Sequence, residues 1–266
     1  MKYPMIKWAK DLFPICRSIT GNGQRKTMKY FKKINFIAES VNSALSQSYD
    51  NLEIIIIYDD ISHDDLAYIL RLKDLDPRIN IVVNPKTIGA GESRNVGISK
   101  SNGKYIAFLD ADDIWNSKKI EYQVNYMKKN NLSCSHTSYD IINENNIKSG
   151  HRSAKIFKNF EDLLKSCDIG LSTVMIERTV LSEYCKFPNI KTKEDFVLWL
   201  KILKNKHVFG AIDLSLGCWR NTKNSLSSSI FQKLIDGFKV YYIYMDYNFF
   251  KSLYLLMCLG LNYLKK

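Results

Sequence analysis

The stretch YIAFLDADDIW, residues 105–115, places three carboxylates within four positions after an apolar run. The run YIAFL predicts a buried strand, so Asp110, Asp112 and Asp113 would lie at its carboxyl end. Like charges so close together repel one another, and an isolated buried carboxylate is costly. We therefore expect a cation to compensate this acidic group.

Apolar runs and helical periodicity alternate on both sides of this stretch. The run LEIIIIY (52–58) is bounded by polar turns, as is typical of a strand buried on both faces of a parallel sheet. This alternation predicts βαβ units and a mostly parallel sheet. The predicted elements are a helix from Phe36 that ends near QSYDN (47–51), the strand 52–58, a helix with Ser62 as N-cap through Ala67, Ile69 and Leu70, the strand INIVV (79–83), a glycine-bearing loop and short helix (84–103), the strand 105–109 and a helix over 117–129.

The pattern is less regular beyond about residue 132. It still predicts four elements: a strand around SCSHTSYDII (133–142), a helix at NFEDLLKS (159–166), the strand STVMI (172–176) and the apolar helix EDFVLWLKILK (194–204).

The last segment, residues 241–266, is aromatic and apolar. Its longest run without a charge, Ser252 to Leu264, is too short for a usual membrane span. A packed helix is the simpler prediction. An interfacial membrane helix, with Lys251, Lys265 and Lys266 facing lipid headgroups, is the alternative.

Composition narrows the class of protein. The 266 residues are 45% hydrophobic, which suffices for one sizeable α/β domain with accessory segments. The excess of 39 Lys and Arg over 27 Asp and Glu gives a net charge of +12, which indicates an anionic partner or simply a basic surface. The 6 cysteines lack zinc spacing and the 4 histidines form no ligand motif. We expect reduced thiols in a cytosolic protein without a signal peptide, and neither a zinc enzyme nor a disulfide scaffold.

A second acidic pair, Asp59 and Asp60, follows the predicted strand 52–58. Ligands of open α/β sheets bind at the carboxyl ends of the strands, so this pair and the group at 110–113 would line one crevice if their strands are neighbours. An ordinary turn or N-cap is the alternative for Asp59 and Asp60. Carboxylate oxygens suit Mg²⁺ or Mn²⁺, which usually binds together with substrate phosphates.

Three segments in order resemble family 2 glycosyltransferases of the GT-A fold, especially bacterial enzymes that build surface polysaccharides. They are residues 36–60, ending in IIIIYDD, residues 89–115, ending in FLDADDIW, and KTKEDFVLWLKILK (191–204). The resemblance covers about residues 35–230. It implies an α/β, Rossmann-like nucleotide-diphospho-sugar transferase whose mostly parallel sheet is flanked by helices.

The resemblance also implies roles for the acids. Asp59 and Asp60 would lie by the base and ribose of the nucleotide. Asp110 and Asp112, with Asp113 adjacent, would hold the metal on the sugar diphosphate, whose developing charge a divalent cation neutralises.

Glu194 and Asp195 resemble the family's ED motif, whose Asp is the catalytic base. A positioned carboxylate can take the proton of an acceptor hydroxyl, and a single base opposite the leaving group implies inversion. Alternatively, Thr192 to Asp195 is a capping-box variant that opens the helix 194–204, and the Asp195 carboxylate only satisfies backbone N–H groups.

Arg94, Trp219 and Arg220 are further candidates for contact with the donor. Arg94 would approach the diphosphate or merely pair with a surface acid. Trp219 and Arg220, followed by NSLSSS, resemble a late loop that closes on the donor phosphates, and a plain polar loop is the alternative.

The beginning of the chain departs from the family. Members usually open with a buried strand of the form VSIIIPxYN, and this chain has no apolar run of strand length before Phe36. The stretch DLFPICRSITGNGQRKT (11–27) resembles instead the opening of a bacterial aminopeptidase-like family, without its catalytic parts. Either this segment fills the place of the strand, or the sheet closes without it and the donor site is impaired.

The sequence thus predicts three parts: an atypical segment (1–34), a GT-A domain (35–230) and an apolar, basic helical segment (231–266). We expect a metal-dependent, inverting transfer from a nucleotide-sugar, UDP-linked, to a glycan or lipid-linked acceptor for surface polysaccharide. We expect it in the cytoplasm or peripherally at the inner face of the membrane, without nucleic acid. The alternative is an impaired domain that acts only as a binding module; a nucleotidyltransferase would leave the ED motif unexplained.

Overall fold

Strands and helices alternate in the first half of the protein as the apolar runs predict. A computed structural model describes residues 15–16, 27–222 and 230–264. The elements of this half are β1 (Ile15–Cys16), α1 (Thr27–Leu45), β2 (Ile54–Tyr58), α2 (Leu66–Arg71), β3 (Ile79–Val83), α3 (Ala90–Lys100), β4 (Tyr105–Phe108), β5 (Ile114–Trp115) and α4 (Lys119–Asn130).

Two helices begin at other residues than predicted. Helix α1 begins at Thr27 and not at Phe36, because apolar periodicity cannot mark the start of a helix whose first turns are mostly polar and basic in sequence. The proposed boundary at residues 34 and 35 therefore falls inside α1. Helix α2 has Asp65 and not Ser62 at its N-cap position.

The second half combines strands with the remaining helices. The predicted strands and helices at 133–142, 159–166, 172–176 and 194–204 are present with slightly different bounds. The elements are β6 (Cys134–Ile142), β7 (Lys148–Arg152), α5 (Phe160–Leu164), β8 (Met175–Glu177), α6 (Glu194–Lys204), β9 (Phe209–Arg220), α7 (Ile230–Lys239), a π-helical turn (Val240–Tyr244) and α8 (Phe249–Leu264).

The main sheet has the strand order β1-β4-β8-β6-β9-β5, with β7 paired to β6. The pairs β1/β4 and β2/β3 of the first half are parallel, as predicted. The second half is mixed, because β6/β9 is parallel whereas β4/β8, β6/β8 and β5/β9 are antiparallel.

The place of the missing first strand is occupied by β1. Ile15 lies opposite Ala107 and Cys16 opposite Phe108, so the N-terminal stretch extends the ladder beside β4. Strand β1 also lies against β2. Of the two outcomes considered above, the N-terminal segment fills the gap, although with a strand of only 2 residues.

Strand β4 is buried on both faces, which fixes the acidic turn that follows it. Ile106 and Phe108 belong to an apolar cluster with α6, whereas Tyr105, Ala107 and Leu109 belong to a second cluster with α1 and α4. Alternate side chains of a strand point to opposite faces of the sheet. A one-residue shift of β4 would exchange the side chains on its two buried faces, so its register is fixed. The acidic turn therefore follows a rigidly held strand, at the carboxyl end of β4.

Candidate active site

The site lies where the carboxyl ends of β2 and β4 approach α3 and the N-terminus of α6. Asp59 directly follows β2, Asp110 follows β4 by two residues, and Glu194 opens α6. Arg94, on α3, connects two of these positions. Residues far apart in sequence thus converge at one end of the strands.

Arg94 is the link between the second and third acidic motifs. Its Nη2 donates to Asp110 Oδ1 at 2.9 Å and its Nη1 to Glu194 Oε1 at 2.6 Å. The guanidinium is buried and lies 5.5 Å from the centroid of the Phe187 ring. Burial alone would lower its pKa, but Asp110 and Glu194 raise the pKa above its ordinary value, so the group stays charged. Arg94 therefore pairs with acids of the candidate site and not with a surface acid.

Asp195 does not act as a helix cap. Lys193 is in the N-cap position in a left-handed conformation, φ 68°, and no side chain caps the helix. Thr192 Oγ1 donates instead to Asp236 Oδ2 at 3.0 Å. Asp195 Oδ1 accepts from the N–H of the next residue, Phe196, at 2.7 Å. The reciprocal hydrogen bonds of a capping box are therefore absent, although the Asp195 carboxylate does accept one backbone N–H in the first turn of α6.

Burial raises the pKa of both acids of this pair. The pKa of Glu194 is raised mainly by desolvation, against the attraction of Arg94. The pKa of Asp195 is likewise raised mainly by desolvation, with Arg94 and Lys193 acting in the opposite direction and Asp110 in the same direction. A carboxylate with a raised pKa is a stronger base than an ordinary aspartate.

The acidic turn has one inner and two outer carboxylates. Asp113 is buried; its Oδ2 accepts from Ser172 Oγ at 2.5 Å and its Oδ1 from the Arg220 N–H at 2.9 Å. Burial, with the nearby charges of Asp112 and Asp110, raises its pKa well above the ordinary value. Asp110 and Asp112 are half-buried at the surface of the turn. The turn therefore offers two carboxylates to a ligand and holds the third inside.

Arg220 holds the acidic turn in place from β9. Its Nε donates to the carbonyl oxygen of Asp112 at 2.7 Å, its Nη2 to Glu39 Oε2 at 2.6 Å and its Nη1 to Asn146 Oδ1 at 2.5 Å. The guanidinium also lies 4.2 Å from the centroid of the Phe36 ring. The Arg220 guanidinium is thus directed towards other residues of the protein.

Trp219 and Arg220 end a strand, so the prediction of a loop at these two residues is wrong. Their pattern of residues suggested a loop because polar side chains follow them, but β5 and β6 pair with this strand on both sides. The Trp219 side chain is 40% exposed. The following NSLSSS, residues 224–229, lies outside the described residues.

Asp59 shapes the loop that enters α3. It is buried, and its oxygens accept from Asn84 Nδ2 and the backbone N–H groups of Ile88 and Gly89, at 2.8 to 2.9 Å. Gly89 has a φ of 91°, which favours glycine. The Asn84 amide also donates to Ser93 at 3.1 Å, so Asp59 is connected to the residue that precedes Arg94.

Asp60 forms a local turn. Its Oδ1 accepts from the Ser62 N–H at 2.9 Å, and the side chain is half-buried. The structure thus brings Arg94, Asp110 and Glu194 into direct contact, connects Asp59 to them through hydrogen bonds, and leaves Asp60 in a turn beside the site.

The acids fit an ion that takes only part of its ligands from protein. Among the residues that the structure describes, no group of three or more His, Cys, Asp or Glu side chains is arranged to hold a metal alone. Asp110 and Asp112 present hard oxygens at one turn, which is the usual protein contribution to Mg²⁺ or Mn²⁺ where phosphates supply the rest.

Sequence reasoning missed the residues that support the acidic turn. Ser172 Oγ accepts from the Asp110 N–H at 3.0 Å, and Ser40 Oγ donates to the Asp110 carbonyl oxygen at 3.0 Å. Glu39 and Asn84 were missed as well. The sequence could have predicted Asn84, because this residue directly follows a predicted strand as Asp59 does. Ser172 lies in an apolar segment, and no sequence pattern there indicates a role in the site.

Comparisons with known proteins agree with this arrangement. The model of the family "Glycosyl transferase family 2" matches residues 28–184, more than half of the chain. The chain is 38% identical over 200 residues, 74% of this chain and 77% of the relative, to the Escherichia coli UDP-Glc:alpha-D-GlcNAc-diphosphoundecaprenol beta-1,3-glucosyltransferase WfgD. It is 31% identical over 236 residues, 87% of this chain and 92% of the relative, to the putative teichuronic acid biosynthesis glycosyltransferase TuaG of Bacillus subtilis strain 168.

A solved structure shows the same fold at low sequence identity. The mannosyltransferase PcManGT from Pyrobaculum calidifontis, in complex with GDP-Man and Mn²⁺, aligns with a TM-score of 0.65 at 12% identity, covering 91% of this chain and 66% of that chain. The predicted GT-A fold is therefore confirmed. The match of the family model and the similarity to WfgD and TuaG show that the chain belongs to glycosyl transferase family 2.

Proposed function

We propose that this protein transfers a sugar from a UDP-sugar to a lipid-linked saccharide during the synthesis of a surface polysaccharide, with inversion and with Mg²⁺ or Mn²⁺. The observation that carries the proposal is the bridge of Arg94 between Asp110 and Glu194, because it brings the acidic turn next to Asp195. The names of WfgD, with a UDP-Glc donor and a diphosphoundecaprenol acceptor, and TuaG support the substrate class.

Asp110 and Asp112 would hold the divalent ion. When bound, this ion neutralises the charge that develops on the diphosphate leaving group. Arg94 would add a fixed positive charge behind the turn. Because its pKa is raised, it keeps that charge throughout the working pH range.

Asp195 would take the proton of the acceptor hydroxyl as that oxygen attacks the anomeric carbon. Its raised pKa favours this transfer, and Glu194, held by Arg94, fixes the start of α6 on which Asp195 lies. A single base on the face opposite the leaving group requires inversion and no covalent intermediate.

The nucleotide would lie at the ends of β2 and β3. Asp59 would act by holding the loop 84–89 in shape, because its oxygens already accept hydrogen bonds from that loop. Asp60 and the exposed indole of Trp219 would contact the donor. We assign Arg220 and Asp113 to the support of the acidic turn.

The protein would act in the cytoplasm at the inner face of the membrane, where a lipid-linked acceptor is accessible. Among the described residues, 15–16, 27–222 and 230–264, no helix has the length and apolar character that crossing a bilayer requires. Peripheral contact would therefore bring these residues to the acceptor.

The test is transfer of labelled sugar from UDP-sugars to a diphospho-lipid-linked GlcNAc acceptor in the presence and absence of Mn²⁺. We expect metal-dependent product from the full chain and from the control Asp74→Asn, since Asp74 is exposed and remote in sequence from the motifs. Product formation that is unchanged in Asp112→Ala and Asp195→Ala would overturn the roles.

A second candidate, an inactive binding module, is favoured by one observation: β1 supplies only 2 residues at the place of an interior strand. Calorimetric titration with UDP separates the two. Binding that requires Mn²⁺, together with turnover, supports the enzyme; absence of turnover with every UDP-sugar tested supports the module.

A further inference from the structure

The helical hairpin formed by α7, the π-helical turn and α8, which we call the C-terminal hairpin, exposes an unusually apolar face. On α8, Ser252, Leu255 and Leu259 are buried against the protein. The opposite side of the same helix is also apolar: Phe250 is 82% exposed and Met257 61% exposed. The exposed apolar residues of α8 are Phe249, Phe250, Leu253, Tyr254, Met257, Leu261 and Tyr263.

The face continues from α8 across the turn onto α7. The Phe238 ring lies 5.4 Å from the Tyr242 ring and 5.5 Å from the Phe249 ring, centroid to centroid. The two helices are in close contact, since a Cβ on Gly237 would approach Leu256 Cδ1 to 2.8 Å. The exposed apolar residues of α7 and the turn are Phe231, Leu234, Ile235, Tyr242 and Ile243. Exposed patches of this extent mark interaction surfaces.

Cations lie at the rim of this face and not within it. Among residues 240–264, the charged side chains are Asp246 and Lys251. Lys165 Nζ lies 5.8 Å from the Tyr254 ring centroid, and Lys233 Nζ lies 6.0 Å from the Tyr263 ring centroid. An apolar centre with lysines and tyrosines at its edge is the pattern of a helix that lies in a membrane interface.

The hairpin is attached to the candidate active site. Asp236, on α7, is buried, and its Oδ2 accepts from both the N–H and the Oγ1 of Thr192 at 3.0 Å. Thr192 precedes Asp195 by three residues. A surface that binds the hairpin is thereby held at a fixed position relative to the proposed base.

We propose that the C-terminal hairpin binds the surface of a bilayer that contains anionic phospholipid, with its apolar face in the interface. This proposal rests on the proposed function only for its purpose, which is to bring the base to an acceptor carried by a lipid. A second copy of the chain is a poorer occupant, because a symmetric contact through this face would bring the same rim lysines together. The net charge of +12 favours an anionic surface in addition.

Sedimentation with vesicles of phosphatidylcholine, alone or with about one third phosphatidylglycerol, tests the proposal. We expect the full chain to bind the anionic vesicles, and the double variant Phe250→Asp, Met257→Asp to bind at least tenfold more weakly. The matched control Ile156→Asp, Tyr184→Asp also replaces exposed apolar residues and is expected to bind as the unchanged chain does. Thermal unfolding of each variant shows whether it is folded.

Two results would overturn the proposal. One is equal vesicle binding by the full chain and the Phe250, Met257 variant. The other is a dimer in light scattering that this variant dissociates, since the face would then be a contact between copies. Transfer from the UDP-sugar to a soluble, short-chain diphospho-linked GlcNAc acceptor is measured in parallel without vesicles, as released UDP, and we expect it to be unchanged by the double variant. If the full chain released no UDP, the proposed function would be contradicted. Vesicle binding would still test whether the C-terminal hairpin binds a bilayer.

Discussion

Two buried arginines, Arg94 and Arg220, bind the same acidic turn in different ways. Arg94 donates to two carboxylates, Asp110 Oδ1 of the turn and Glu194 Oε1 of α6. Arg220 makes one contact with the backbone of the turn and one from its own backbone: its Nε donates to the Asp112 carbonyl oxygen, and its N–H donates to the buried Asp113 carboxylate.

This difference separates a functional from a structural role. The carboxylate oxygen that Arg94 holds is one that a bound divalent ion would also attract, so Arg94 is a cation in competition with a ligand. On the turn, Arg220 holds the Asp112 carbonyl oxygen and the buried Asp113 carboxylate, which would keep these partners when a ligand binds. We call the contacts around Arg94 the first centre and those around Arg220 the second centre. Substitutions at the first centre should alter catalysis, and substitutions at the second should alter stability.

The largest effect is expected at the first centre, from Asp195→Asn. The amide cannot take a proton, so kcat should fall by about 10²–10⁴-fold. The free energy of unfolding should stay the same or rise, because a buried charge is removed. The measurements are sugar transfer at saturating substrate and urea unfolding, with Asp74→Asn as control. A kcat within about threefold of the unchanged chain would show that Asp195 is not the base.

The second centre predicts loss of stability from Arg220→Met. This change leaves Glu39, Asn146 and the Asp112 carbonyl oxygen without the side-chain donor that they have in the folded protein, and we expect the free energy of unfolding to fall by about 3–5 kcal/mol. The Asp113 carboxylate accepts from the backbone N–H of residue 220, which the substitution keeps, so this hydrogen bond is lost only if the turn moves. If the turn stays in place, the fall in the free energy of unfolding should be at the lower end of this range. Urea unfolding measures the change.

Arg152→Met is the matched control for this prediction. Arg152 is half-buried, and its Nη1 donates only at 3.2 Å to the carbonyl oxygen of His151. Its replacement should change the free energy of unfolding by less than about 0.5 kcal/mol. If the two variants unfold alike, Arg220 is not the support of the turn.

A smaller and conditional effect is expected from Arg94→Met. Without the guanidinium, Asp110 and Glu194 repel each other, so the protein should be less stable in EDTA by about 3 kcal/mol. Mn²⁺ should restore more stability to this variant than to the unchanged chain, by roughly 1–3 kcal/mol, since the ion now neutralises Asp110 without a competing cation. Equal Mn²⁺ effects on both proteins would show that Arg94 and the ion do not share Asp110.

The same comparison shows what the sequence could predict. Asp110 was predicted because it follows an apolar run typical of a buried strand, whereas Glu194 and Asp195 were predicted from their resemblance to the family's ED motif at the start of an apolar helix. Their partners were not, because hydrogen bonds such as Arg220 to Glu39 join residues 181 positions apart and leave no local pattern. Strand β1 escaped for a related reason, since 2 residues cannot show the period-2 alternation of a strand.

A buried lysine, Lys119, extends the comparison to a basic group without an acidic partner in the described part of the chain. Its Nζ donates to Gln123 Oε1 at 2.6 Å and lies 4.4 Å from the centroid of the Trp115 ring; among the described residues no carboxylate forms an ion pair with it. Burial lowers its pKa well below the ordinary value. We expect Lys119→Met to raise the free energy of unfolding at neutral pH by about 1 kcal/mol, because burying this amine costs stability, either as an ammonium or through its deprotonation. Lys118→Met, at the exposed neighbouring position, is the control.

The pH dependence of the free energy of unfolding tests the lowered pKa of Lys119. Because the pKa of Lys119 is lower in the folded than in the unfolded protein, the unfolded state binds more protons as pH rises from the folded pKa towards 10.5. The stability of the unchanged chain should therefore rise with pH in this alkaline range, relative to Lys119→Met, and the difference between the two should shrink. A difference that is constant up to pH 10 would mean that Lys119 keeps an ordinary pKa, and that a buried cation in this fold needs no carboxylate.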